Sequence, residues 1–106
     1  MFGRQVTMKL KVDSATELTR INEREIIPLL RQQKGFRDVT TFISTERKEA
    51  VVHTFWDTRE EADAYNTTGY AEVLKTLSNV IEGTPIVATF EFASSTFHKV
   101  AAAGLV

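Results

Sequence analysis

Two neighbouring strand-like runs that are apolar on both sides constrain this chain more than any other feature. Residues 36–45 and 48–57 are rich in Val, Ile, Thr and Phe, and a charged turn at Glu46-Arg47 separates them, which is the composition of a β-hairpin. If the turn holds an even number of residues, Phe36, Phe42, Val51 and Phe55 point one way and Val39, Ile43, Val52 and Trp56 the other. An isolated hairpin is barely stable in water, so each face needs a cover. The rest of the chain must supply it, or a second molecule must.

The remaining segments supply one cover. Residues 5–13 alternate Val6, Met8, Leu10 and Val12 against Gln5, Thr7, Lys9 and Lys11, the period of a half-buried strand. Ser14 precedes Glu17 by three positions, the spacing of a capping box, so a helix is expected from Ala15 with Leu18, Ile21, Asn22, Glu25, Ile26 and Leu29 along one side. Pro28 removes one backbone hydrogen bond and predicts a kink over 24–28, and Gly35 is the natural stop. Thr58 and Glu61 repeat the capping spacing and open a second helix at Arg59. It breaks over 66–69 and resumes with Tyr70, Val73, Leu74, Leu77 and Ile81. Gly83-Thr84-Pro85 should turn the chain into a last strand over 86–93, with Ile86, Ala88, Phe90 and Phe92 on one side. The tail over 94–106 shows no period.

The order β-α-β-β-α-β is the ferredoxin-like, split βαβ arrangement of the α+β class, a single domain with its core over 5–93. Helices on one face of an antiparallel sheet leave the other bare. Burying about 600–800 Å² of that face on each subunit would make a standard interface, so a homodimer is expected.

Composition closes off several function classes. The net charge of −1 leaves no basic footprint for nucleic acid. The absence of Cys excludes disulfides, thiolate ligands and a Cys nucleophile. The first residues lack a signal-peptide pattern and no run approaches about 20 apolar residues, so no membrane partner and a cytoplasmic location are expected. Two His without clustered carboxylates argue against a metal, and no Gly-rich dinucleotide loop is present, so no cofactor is expected.

The pattern Ile26-x-Pro28 leading into Lys34-Gly35-Phe36-Arg37, then Phe55-Trp56-Asp57-Thr58 with Glu60-Glu61-Ala62, then Tyr65 and Gly69-Tyr70, resembles the antibiotic biosynthesis monooxygenase-like proteins of the dimeric α+β barrel superfamily. The resemblance implies a dimer with a cleft for a small hydrophobic or aromatic ligand, and cofactor-independent monooxygenation as the activity. Characterised members pair the Trp with an Asn on its own strand, plus a Tyr and an Arg from the second helical region. Here residues 50–55 hold no Asn, and no Arg follows Arg59. The haem-degrading relatives need a helix His and a first-strand Asn, and residues 59–81 and 5–13 respectively lack them, which sets haem aside. A non-catalytic dimer that binds a small hydrophobic compound fits the same residues.

Six side chains are candidates for the site. By the resemblance, Trp56 walls the ligand cleft and its indole N–H can donate to a quinone or phenolate oxygen; its bland role is to fill the space between sheet and second helix. His53 is the one imidazole of the core, and could take a proton from a phenol, though it lies on the strand face opposite Trp56. Tyr65 and Tyr70 flank the helix break and could bond a ligand. Arg37 could lie over Trp56 across the hairpin or steady an anion. His98, in the tail, contributes only if that tail reaches the cleft.

Overall fold

The computed structural model describes residues 1–94. The elements run β1 (Phe2–Leu10), α1 (Ala15–Ile21), a π-helical segment (Asn22–Ile26), α2 (Ile27–Arg31), β2 (Phe36–Ile43), β3 (Glu49–Trp56), α3 (Arg59–Thr67), α4 (Gly69–Leu77) and β4 (Ile81–Glu91). The strands form one antiparallel sheet in the order β2-β3-β1-β4. This is the α+β, ferredoxin-like arrangement that the element order predicts. His98 and most of the tail lie outside the described residues.

All helices lie on one face, and strand alternation decides which residues meet them. On β1 the covered side carries Phe2, Arg4, Val6, Met8 and Leu10, all buried. Register places Trp56 beside Phe2, Thr54 beside Arg4 and Val52 beside Val6 on that same side. Leu18, Ile21, Ile26 and Leu30 from the first helical run and Ala62, Tyr65, Val73 and Leu77 from the second close the core over them.

Several boundaries depart from the sequence reading. β1 begins at Phe2 and ends at Leu10, so Val12 is exposed rather than inward; the chain turns through Lys11–Asp13, with Asp13 at a φ of 58°. The first helical run accommodates Pro28 by widening: the Ile27 N–H bonds back to the Asn22 carbonyl, a π-type step just before the residue that lacks an N–H. α4 ends at Leu77, before Ile81, which is already in β4, and Gly83-Thr84-Pro85 forms an irregularity inside that strand opposite Met8 instead of a turn before it. On β2 the register slips between Phe36 and Asp38, a bulge at Arg37. It turns Phe36 to the covered face, where its ring meets Trp56 edge-on at 5.6 Å, instead of siding with Phe42, Val51 and Phe55. Gly35, at a φ of 80°, makes the turn from α2 into β2; a Cβ there would sit 2.3 Å from the Glu61 carboxyl carbon.

The other face has no cover among the described residues. It carries Phe42, Val51, His53, Phe55, Ile86, Ala88 and Phe90, of which Phe42, Ile86 and Phe90 are 56%, 72% and 54% exposed. No helix among the described residues is long and apolar enough to cross a membrane.

Candidate functional site

At the Trp56 end of the sheet, rings and one cation meet under the helices. Trp56 closes β3 and is 0% exposed; its indole N–H donates to the Thr54 hydroxyl at 2.9 Å, two residues back on the same side of the strand. The indole stacks on Tyr65 of α3 with centroids 4.9 Å apart and planes 28° apart, and Tyr65 leans on Tyr70 of α4 at 6.1 Å. The break between α3 and α4 makes this possible. Thr58 caps α3, its hydroxyl accepting from the Glu61 N–H at 3.2 Å, and Gly69 starts α4 so close to Tyr65 that a Cβ would lie 3.0 Å from its ring.

Arg4 is the residue the sequence reading missed. It stands on the covered side of β1, 3% exposed, with its guanidinium 4.2 Å from the centre of the Tyr70 ring and 5.3 Å from that of Tyr65. One N–H donates to the Asn66 side-chain oxygen near the end of α3. No carboxylate among the described residues lies within ion-pair distance of it. Each ring stacking of a desolvated cation contributes about 2 kcal/mol, against a desolvation cost of several kcal/mol for an unpaired buried ion. Burial lowers the Arg4 pKa from its ordinary value, with the tyrosines opposing. Burial likewise pushes the Tyr65 hydroxyl up to about 12 and raises that of Tyr70, while the Arg4 charge pulls both partly back. The missed signal was period two itself: the alternation of Val6, Met8 and Leu10 continues back through Arg4 to Phe2.

Between this cluster and the helices lies a hollow of about 30 Å³, bordered by Arg4, Val52, Thr54, Tyr65, Tyr70 and, from the π-helical segment, Asn22. That volume holds one or two waters. Pockets for drug-sized ligands run to about 300–1,000 Å³, so an aromatic guest requires a wall to move. Among the described residues the titratable groups on its lining are Arg4, Tyr65 and Tyr70; burial raises both tyrosines above their ordinary value, and an arginine keeps its proton in proteins.

The other candidates fall elsewhere. His53 and Trp56 are not brought together: strand alternation puts the sheet between them, and the His53 ring lies on the open face, bonded to the Gln5 side chain at 2.9 Å and between the edges of Phe42 and Phe55. Arg37 does not lie over Trp56. The bulge turns it outward, where it pairs with the exposed Asp57, and Phe36 takes the place against the indole. Among the described residues no group of His, Asp and Glu is gathered as a metal ion would need.

No family profile matches the chain. No curated protein matches it either. Solved structures do. The monooxygenase from the ActVA-Orf6 gene of Streptomyces coelicolor, in complex with nanaomycin D, superposes with a TM-score of 0.72 at 19% identity, covering 84% of each chain. SnoaB, a cofactor-independent oxygenase from Streptomyces nogalater, does so at 0.73 and 12% identity, over 90% of this chain and 95% of that one. A protein of unknown function from Nitrosomonas europaea matches at 0.73 and 12%, over 90% and 91%. The fold is that of the antibiotic biosynthesis monooxygenase-like proteins, as the sequence resemblance implies. At such identities the likeness speaks for the fold alone.

Proposed function

We propose that this chain is a homodimeric, cofactor-independent monooxygenase that takes a planar aromatic or quinol-type compound between its sheet and helices. The observation that carries this reading is the ring ladder Trp56–Tyr65–Tyr70, whose two tyrosines border an apolar hollow, in a fold shared with proteins described as monooxygenases. An electron-rich phenol can itself reduce O₂. At a ring carbon bearing two hydrogens, one oxygen atom becomes the new carbonyl, the other leaves as water, and all four electrons come from the substrate. The protein then needs only to exclude water, hold the ring plane and steady an oxyanion. The α3–α4 break beside Gly69 is the wall that opens for entry. The second copy covers the open face, bringing Phe42, Ile86 and Phe90 out of water.

One observation favours a binder without turnover. Arg4, Tyr65 and Tyr70 cannot accept a proton at neutral pH, so a substrate must arrive already ionised. Oxygen uptake separates the two readings. The purified protein is incubated with a panel of polycyclic phenols and quinols across pH 6–9; uptake that falls at least about tenfold in Trp56→Phe, which loses the indole N–H that holds the Thr54 hydroxyl on the lining of the hollow, supports the enzyme. Ligand binding with no uptake on any compound supports the binder, and uptake indifferent to Trp56→Phe and Tyr65→Phe puts the chemistry elsewhere.

A further inference from the structure

We infer that Arg4 is the receptor for a negative charge carried by the ligand, so that the hollow selects planar organic anions (a carboxylate or an ionised phenol) over their neutral analogues. This rests on the reading that the hollow takes a planar compound, and adds to it the charge of that compound.

The argument begins with position. Along the covered side of β1, Phe2, Val6, Met8 and Leu10 are apolar and Arg4 alone is charged. Leu or Met would suit the strand, and neither would bring an ion out of water. The guanidinium has five N–H donors in a fixed fork. One goes to Asn66 and another engages the Tyr70 hydroxyl, while the guanidinium carbon stands over the Tyr65 and Tyr70 rings; three of the five donors are left. The ion pairs of the described residues all lie on other arginines, Arg20, Arg37 and Arg59, and these are exposed. Asp63 acts on Arg4 only as a weak influence at longer range. A buried guanidinium that borders a cavity, with a donor edge and no counter-charge, is half of an ion pair.

The rest of the lining agrees. Among the described residues, no base borders the hollow to remove a proton from a neutral guest. A cation that favours the ionised form removes the need for one, because the guest's own acidity rises in its field. Asn66 and the two tyrosines fix the guanidinium in place, and a planar oxyanion that meets the remaining fork is bound by parallel N–H bonds. Arg4 thus binds substrate charge directly. It lies on the first strand, a position the family resemblance does not point to.

The test uses three probes on the intact protein. Titration calorimetry compares anthraquinone-2-carboxylate with its neutral carboxamide, and absorbance follows the ionisation of 2-hydroxyanthraquinone, free and bound. The expected result is tighter binding of the carboxylate by about tenfold or more, the scale of one charge-assisted hydrogen bond. In Arg4→Met that ratio falls to about one, with carboxamide affinity unchanged. The bound hydroxyanthraquinone should ionise about one pH unit or more lower than the free dye on the wild type, and not on Arg4→Met. A preference in the carboxylate arm alone, or in the phenol arm alone, identifies which oxyanion the site takes. Should Arg4→Met not fold, the wild-type ratio decides alone, with Arg4→Lys expected to keep part of it. Equal affinity for carboxylate and carboxamide on the wild type overturns the charge receptor while leaving the hollow as a binding site. If no probe binds, the hollow is no site and the receptor falls with it.

Discussion

On the helix-covered side of the sheet, β1 places a guanidinium with no carboxylate of the described residues against it; on the open side, Phe42, Ile86 and Phe90 stand more than half exposed around His53. One face holds a charged group withdrawn from bulk solvent, the other holds apolar groups exposed to it. Both arrangements cost stability in an isolated chain. In the proposals above, an anion answers the first and a second sheet the second. The two faces therefore make separable claims. Mutations on one should leave the other's behaviour intact.

The largest effect is expected under the helices. Trp56→Ala removes a side chain that is 0% exposed, stacked on Tyr65 and edge-on to Phe36. It should cost about 3–5 kcal/mol in urea unfolding, enough to unfold a marginal domain. A cost below about 1 kcal/mol would mean that the ring ladder is loosely packed.

Next comes the open face. Placing Asp at both Ile86 and Phe90 puts two charges into the surface that a second copy would cover. The dimer dissociation constant should rise at least about 100-fold, close to 3 kcal/mol, and sedimentation at micromolar concentration should move from the mass of two chains to that of one. Both positions are more than half exposed in the single chain, so monomer stability should change by only about 0.5 kcal/mol. Wild-type protein sedimenting as a monomer would remove the proposed cover altogether. An unchanged mass in the double variant would place the interface elsewhere.

A third experiment reads the covered face through protons. Tyr65 has its pKa raised to about 12, with burial as the main cause. In the unfolded chain it ionises near the ordinary value of 10.0. Between those two values the unfolded state has lost a proton that the folded state keeps, so stability falls as pH rises from 10 to 12; below 10 the contribution is fully present. The loss should total about 2–3 kcal/mol at 1.36 kcal/mol per unit. Tyr65→Phe keeps the stacked ring and lacks the proton, so the difference between the two unfolding curves across that range isolates this group. Identical curves would mean that water reaches the hydroxyl.

How much of this was legible in the sequence follows from what period two and period 3.6 can carry. The strand and helix order, the covered Trp56 and the bare aromatic face were readable because each rests on several residues in register. Arg4 was not: the strand was begun at Gln5, since a charged residue on the apolar phase reads as its end. Arg37 was misplaced because a single bulge inverts every side chain on one side of it, and nothing in Phe36-Arg37-Asp38 announces one. Tyr65 and Tyr70 were found through the Gly69 break, but the guanidinium that joins them comes from a strand 61 positions before Tyr65, and only the folded chain shows it.

Helix capping gives the smallest effect and tests the same limit. Ser14…Glu17 and Thr58…Glu61 have identical spacing, yet only the second acts as a cap. Thr58 is extended, with φ −137° and ψ 161°, which brings its hydroxyl under the Glu61 N–H. Ser14 sits at φ −100° and ψ −2°, its hydroxyl turned back to the Val12 carbonyl, and Glu17 pairs with Arg20 instead. The cause lies upstream: β1 stops at Leu10, and the turn through Asp13 delivers Ser14 already curled. Thr58→Ala should cost about 1 kcal/mol in thermal or urea unfolding, and Ser14→Ala only about 0.3 kcal/mol or less. Since α3 carries Tyr65 and Asn66 to Arg4, the Thr58 variant should also weaken anion binding, whereas the Ser14 variant should leave it unchanged. Equal costs at both positions would mean that residue spacing, and not the backbone angle set by the preceding strand, decides whether a cap forms.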